Sequence, residues 1–199
     1  MQLDDVIRRR RMVRSFETTP VDEAALDRML DLARRCPSAG YSQGIDFVVL
    51  RGPEETARFW DAGGLRSYWA SVFPTVVDAP VIVLPVADRG AYLERYSQPD
   101  KAPAGLQDAS AWPVPYWLTD TAMATMILLL ATVDEGLGSL FFGLFRGTEV
   151  DVAQRLGIPS DRDLIGVVAI GHPADDRPTG SATTRHRRPF EEVIHFGGW

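Results

Sequence analysis

The stretch from Thr119 or Asp120 to about Glu135 is apolar nearly all round, with Met123, Met126, Ile127, Leu128, Leu129 and Leu130 leaving no polar face. A helix of that kind must be enclosed by other elements, so the chain has to build layers around it. Thr119 or Asp120 is a natural N-cap, and Gly136 and Gly138 bracket the stop. The apolar run Ala122–Val133 is interrupted by Thr125 and Thr132 and is too short to span a bilayer.

Around this helix the pattern alternates. Leu3, Val6 and Ile7 share one helical face, and Leu26, Met29, Leu30 and Ala33 make the stripe of a second helix ending before Pro37. A third helix starts at Pro53 and ends at Gly63-Gly64. Short apolar runs read as strands at 47–50, 81–84, 139–145 and 164–170, and Thr148 is expected to cap a short helix carrying Val152, Ala153 and Leu156. Residues 90–116 lack a clear period and read as a long loop or flap. From Pro173 the chain is polar as far as Arg188, then carries Phe190, Val193, Ile194, Phe196 and Trp199. An apolar terminus of this kind is expected to pack as an arm on another surface.

A length of 199 residues fits one domain, here 1–199. The net charge of −6 argues against a broad nucleic-acid-binding surface. The single cysteine, Cys36, excludes an internal disulfide, and the three histidines lack metal-ligand spacing. Asp4 and Asp5 at the start, with no apolar stretch after them, do not look like a secretory leader, so a reducing cytoplasm is the expected setting.

Against this acidic background the run Arg8-Arg9-Arg10-Arg11, with Arg14 beyond it, is a local exception. A second basic group, Arg185-His186-Arg187-Arg188, stands near the other end. Two guanidinium forks answer the charge of a phosphomonoester. The small, hydroxyl-bearing turn Pro37-Ser38-Ala39-Gly40-Tyr41-Ser42-Gln43 can set backbone N–H groups against a flat polar ring, and Gly143 permits close approach of a ligand. Gly136-Leu137-Gly138-Ser139 closes a helix and opens a strand, the reverse of a dinucleotide-binding turn. No acid, base or nucleophile constellation stands out, as expected where a cofactor carries the chemistry. Together these features point to a phosphorylated cofactor, a flavin.

Arg10-Arg11-Met12-Val13-Arg14-Ser15-Phe16, the Pro37–Gln43 turn, Gly136–Ser139 and the basic group before the terminal arm resemble, in order, the FMN-dependent nitroreductase superfamily. The likeness covers nearly the whole chain. It implies an α+β fold with a mixed, mainly antiparallel sheet flanked by helices, in an intertwined homodimer with an exchanged C-terminal arm (173–199). It also implies FMN as cofactor, NAD(P)H as transient reductant, and a small organic acceptor such as a nitroaromatic or a quinone. By the resemblance, Arg10, Arg11 and Arg187 hold the FMN phosphate, with Arg185 or Arg188 assisting. Arg14 lies at the pyrimidine edge, where a fixed cation raises the flavin potential. Met12 contributes only its backbone. Pro37, Ser38, Ala39, Tyr41 and Gln43 line the flavin from the opposite subunit, and Phe141, Phe142 and Gly143 approach it through their backbone.

Met12, Tyr41 and Gly44-Ile45 depart from the family's usual polar residue, Asn and Pro-Trp. Asp46-Phe47 and Tyr116-Trp117 are similar to the flavin-fragmenting relatives that make a benzimidazole. That activity, and flavin binding without turnover, are the alternatives.

Overall fold

The computed structural model describes residues 1–145, 147–174 and 181–199. Its helices are α1 (Leu3–Arg9), α2 (Glu23–Ala33), α3 (Gly52–Trp60), α4 (Leu65–Val72), α5 (Arg89–Ser97), α6 (Tyr116–Asp134) and α7 (Thr148–Leu156). The strands are β1 (Ile45–Arg51), β2 (Val81–Ala87), β3 (Gly138–Phe142), β4 (Asp163–Leu164) and β5 (Val167–Gly171). The sheet runs β1-β2-β5-β3, with β4 paired to β2, and every one of these strand pairs is antiparallel. In register, Val48 faces Leu84, Val83 faces Val168, and Phe141 also faces Val168 from the other side.

The strand sequences explain this arrangement. All of β2 is buried, as its unbroken apolar run requires of a central strand covered on both faces. Ile82 and Leu84 point to one core, with Phe59, Trp60, Leu65 and Phe142. Val81 and Val83 point to the other, with Met29, Leu128 and Ile170. Successive side chains alternate across a strand, so one segment serves both layers. α3, α4 and α7 thus cover one face, and α2 with α6 the other. The result is an α+β sandwich about a mainly antiparallel sheet.

α6 is 19 residues long, and by length and composition alone it could cross a membrane. It lies instead against the sheet, with Ala124, Leu128 and Thr132 fully enclosed. It also starts earlier than the sequence suggests. Pro115 stands at the N-cap, where a missing N–H costs nothing, and Asp120 is an internal, buried residue rather than a cap.

Other expectations are corrected. The segment 90–116 is not all loop: α5 occupies its first part, followed by 3-10 turns at Ala102–Ala104 and Ala109–Ala111. Tyr92, Trp112 and Trp117 tie it to the body in a third apolar cluster. α4 was not foreseen. β3 stops at Phe142, before Gly143. The 164–170 run splits into β4 and β5 around Gly166, whose φ of 151° and contact with the Phe141 ring exclude a side chain. Gly147, not Thr148, stands at the N-cap of α7. On α1 only Val6 is buried, while Leu3 and Ile7 are exposed.

Residues 175–180 of the expected arm lie outside the described residues. Beyond them Phe190, Val193, Ile194, Phe196 and Trp199 are all exposed on the single chain.

Candidate functional site

The arginine segment is laid along the edge of the sheet. Leaving α1, Met12 forms a parallel bridge to Ser139, and the Val13 N–H donates to the Ser139 carbonyl at 2.9 Å. Further on, Glu17 N–H donates to His172 O, and Phe16 bridges Pro173. Buried Val13 and Phe16 anchor the segment, so the polar residues between them are held in fixed positions. Met12 is thereby brought beside Phe141 on β3, and Arg11 beside Gly138 and Ser139. The Met12 sulfur accepts from the Phe141 N–H at 3.4 Å, so this side chain packs structurally and its backbone carries the edge pairing.

Two buried polar atoms here have no hydrogen-bond partner: Nη1 of Arg10 and the Ser139 hydroxyl. A buried guanidinium nitrogen without an acceptor is costly unless something fills the place. A cavity of about 610 Å³ opens at this edge, lined by Arg9, Arg11, Val13, Gly138, Ser139 and Pro173 among others. Arg14 turns inward, with Nη1 donating to Met12 O at 3.2 Å and its guanidinium 5.4 Å from the centre of the Phe73 ring. That placement fixes a cation at the sheet edge. A Cβ on Gly143 would meet no protein atom within 4 Å, so its backbone faces open space.

The turn is the second half. Ala39–Tyr41 forms a single 3-10 turn leading into β1, and its backbone is strained: Gly40, Tyr41 and Gln43 have φ of 62°, 58° and 54°. For tyrosine and glutamine this left-handed region is unfavourable and has to be held by the surroundings. Within the turn, the Gln43 N–H donates to the Ser38 hydroxyl and the Ser42 hydroxyl donates to Ala39 O. From outside, Asp120 accepts from the Ala39 N–H at 2.9 Å and Arg95 Nε donates to Gly40 O at 2.9 Å. The outcome exposes Pro37, Tyr41 and Gln43, with Ser38 and Ala39 half-buried. Burial, and next the negative charge of Asp120, push the Cys36 thiol up, so this cysteine is a weak nucleophile.

The two halves do not meet within one chain. The turn leads into β1 at one edge of the sheet, whereas the arginine segment borders β3 at the other. Three strand spacings separate these edges, about 14 Å. Arg185, Arg187 and Arg188 lie on exposed chain after residue 180, with Arg188 paired to Glu192. Sequence reasoning missed Arg9 and Ser139 in the cavity wall, and Tyr92, Arg95 and Asp120 behind the turn. The one available signal was an aspartate inside an otherwise apolar helix.

Fold and site together define an α+β protein with arginines along one sheet edge and a strained polar turn at the other. The chain belongs to the nitroreductase family, whose family model matches residues 7–64 and 67–172. It is similar to the FMN reductase [NAD(P)H] of Bacillus subtilis, at 24% identity over 189 residues, covering 93% of this chain and 69% of that protein. It is also similar to an NADH dehydrogenase of Thermus thermophilus, at 27% identity over 205 residues, covering 94% and 91%. Among solved structures, a nitroreductase family protein of Clostridium novyi superposes with a TM-score of 0.68 at 25% identity, covering 88% of this chain and 87% of that one.

Proposed function

We propose that this protein is an FMN-dependent oxidoreductase that uses NAD(P)H to reduce a small organic acceptor, a nitroaromatic or a quinone. The observation that carries the reading is the buried Nη1 of Arg10, which has no hydrogen-bond partner among the described residues, between Arg9 and Arg11, which line a cavity at the sheet edge together with Asp134. A phosphate oxygen is the acceptor that position lacks. When bound, FMN supplies a hydride-accepting ring that returns two electrons to the acceptor.

In this reading the chain's own residues bind and orient. Arg10 and Arg11 grip the phosphate, joined by Arg187 with Arg185 or Arg188 as the arm closes. Arg14, fixed over Phe73, sets a positive field at the pyrimidine edge. The backbone of Met12, Phe141, Phe142 and Gly143 borders the ring. Pro37, Ser38, Ala39, Tyr41 and Gln43 come from a second copy, because in one chain they stand at the far edge of the sheet. The homodimer also accounts for the exposed apolar residues Leu3, Ile7, Met123 and Met126 and those of the arm. Its setting is the cytoplasm.

The test is direct. Purified protein is examined for flavin absorbance, then for NAD(P)H oxidation accelerated by a quinone or nitroaromatic. Protein that neither carries nor takes up FMN overturns the reading. Flavin uptake with no oxidation of either nicotinamide leaves only a carrier. Conversion of reduced FMN and oxygen into a benzimidazole would establish fragmentation in its place.

A further inference from the structure

Asp120 is 2% exposed, on a helix that would be better served there by alanine or leucine. Its carboxylate is used instead. One oxygen, Oδ2, accepts from both the Ala39 N–H at 2.9 Å and the hydroxyl of fully buried Tyr92 at 2.8 Å. The next peptide but one along the turn is gripped as well: Arg95 Nε donates to Gly40 O, while the two Nη atoms of Arg95 are held by Asp100 at 2.8 and 2.7 Å. The Tyr96 ring closes over Gly40, where a Cβ would lie 2.8 Å from it. Side chains from α5 and α6 therefore hold the Ser38–Ala39 and Gly40–Tyr41 peptides, on either side of the Ala39–Gly40 peptide. Of the three positive φ angles, that of Gly40 lies between the two held groups, and those of Tyr41 and Gln43 come after them.

We propose that Asp120, seated by Tyr92, and Arg95 are positioning residues that lock the Pro37–Gln43 turn into the shape in which it lines the flavin. The inference rests on the flavin reading above. Fixing the Ala39 N–H and the Gly40 carbonyl determines which way the following peptides face, and so presents Tyr41 and Gln43 outward. Without the clamp the non-glycine residues relax from the left-handed region, and the turn has to be re-ordered each time the ligand binds. Tyr92 keeps the carboxylate in place, and as a neutral phenol it donates its only proton there.

The experiment compares wild type with Asp120→Ala, Asp120→Asn, Tyr92→Phe and Arg95→Ala, each stripped of flavin. FMN affinity is read by fluorescence titration, folding by apo-protein Tm, and the turn by amide exchange of the 36–44 peptide. Asp120→Ala and Arg95→Ala are expected to raise the FMN Kd about tenfold each and to speed exchange in that peptide. Asp120→Asn keeps an acceptor for the Ala39 N–H and should stay within about threefold of wild type. A purely structural role would lower Tm and leave Kd and local exchange unchanged, and that result overturns the proposal. So does Asp120→Asn binding as weakly as Asp120→Ala. If Asp120→Ala does not fold, Arg95→Ala and Tyr92→Phe decide, since neither removes the buried carboxylate. Wild type that takes up no FMN sinks the flavin reading instead, while the exchange data still report whether the clamp holds the turn.

Discussion

Arg10 is placed by its neighbours rather than by a partner of its own. The last turn of α1 ends where its N–H donates to Val6 O, and Val13 is buried three residues on, so the backbone on both sides is fixed. Because Nη1 has no hydrogen bond to lose among the described residues and its burial without an acceptor is costly, Arg10→Ala should not lower apo-protein Tm. It should weaken FMN binding by about 1.5–3 kcal/mol, the cost of a lost charge-assisted hydrogen bond. Titration of the stripped variant measures this, and equal affinity with wild type removes Arg10 from the phosphate site. A second residue-scale consequence concerns alkali. Burial, more than the neighbouring Asp120, raises the folded-state pKa of Cys36, and burial followed by the Asp120 hydrogen bond raises that of Tyr92. Both groups hold their protons to higher pH when folded than in the unfolded chain, which releases them at about pH 8.5 and 10. Their contribution is fully present below those values and is lost as pH rises. Urea unfolding at pH 7.5, 9 and 10 should show stability falling over that window, with Tyr92→Phe flattening the upper part.

At the scale of elements, α5 explains a departure in the sequence that otherwise looks arbitrary. Gly44 replaces the family's usual proline, and a Cβ there would lie 2.6 Å from the Asp88 carbonyl oxygen and 2.7 Å from the Tyr92 ring. The Asp88 N–H in turn donates to Gly44 O, so β1 enters the sheet pressed against the start of α5. The helix that clamps the turn therefore leaves no room for a side chain beside it. Gly44→Ala should destabilise the protein by about 1–3 kcal/mol, because backbone cannot move aside as a flexible side chain would. A thermal melt matching wild type would contradict the close approach. The same element shows where sequence reading stops. α2 was legible from the helical recurrence of its apolar residues, α3 from Pro53 at its start, and β2 from an unbroken apolar run that fills both cores. α5 was not: only Tyr92 among its residues is buried, and Gly90 stands in its first turn. The arginine cluster and the small polar turn were visible as local composition. Their anchor at Asp120 was not, since it joins residues 81 positions apart and local pattern carries no trace of such a contact.

The whole molecule presents the arginine segment and the polar turn at opposite sheet edges and a terminal arm whose large apolar residues are all exposed, Phe196 and Trp199 almost completely. A single copy leaves that surface wet; in the dimer we propose, a second copy covers it and brings an arginine edge to a turn. On that proposal dimer formation and flavin retention are one equilibrium, because a cofactor bound between subunits stabilises only the assembled form. Ending the chain after Arg188 keeps every arginine proposed for the phosphate but removes Phe190–Trp199. The truncated chain should keep its fold, since no core residue comes from the arm. Light scattering should show it shifted towards monomer, and FMN affinity should fall and become dependent on protein concentration. If the truncated protein stays dimeric and holds FMN as tightly as the full chain, the arm does not join the subunits. If it becomes monomeric yet binds FMN undiminished, both halves of the site belong to one chain, and the separation across the sheet has been misjudged as the reason for a partner.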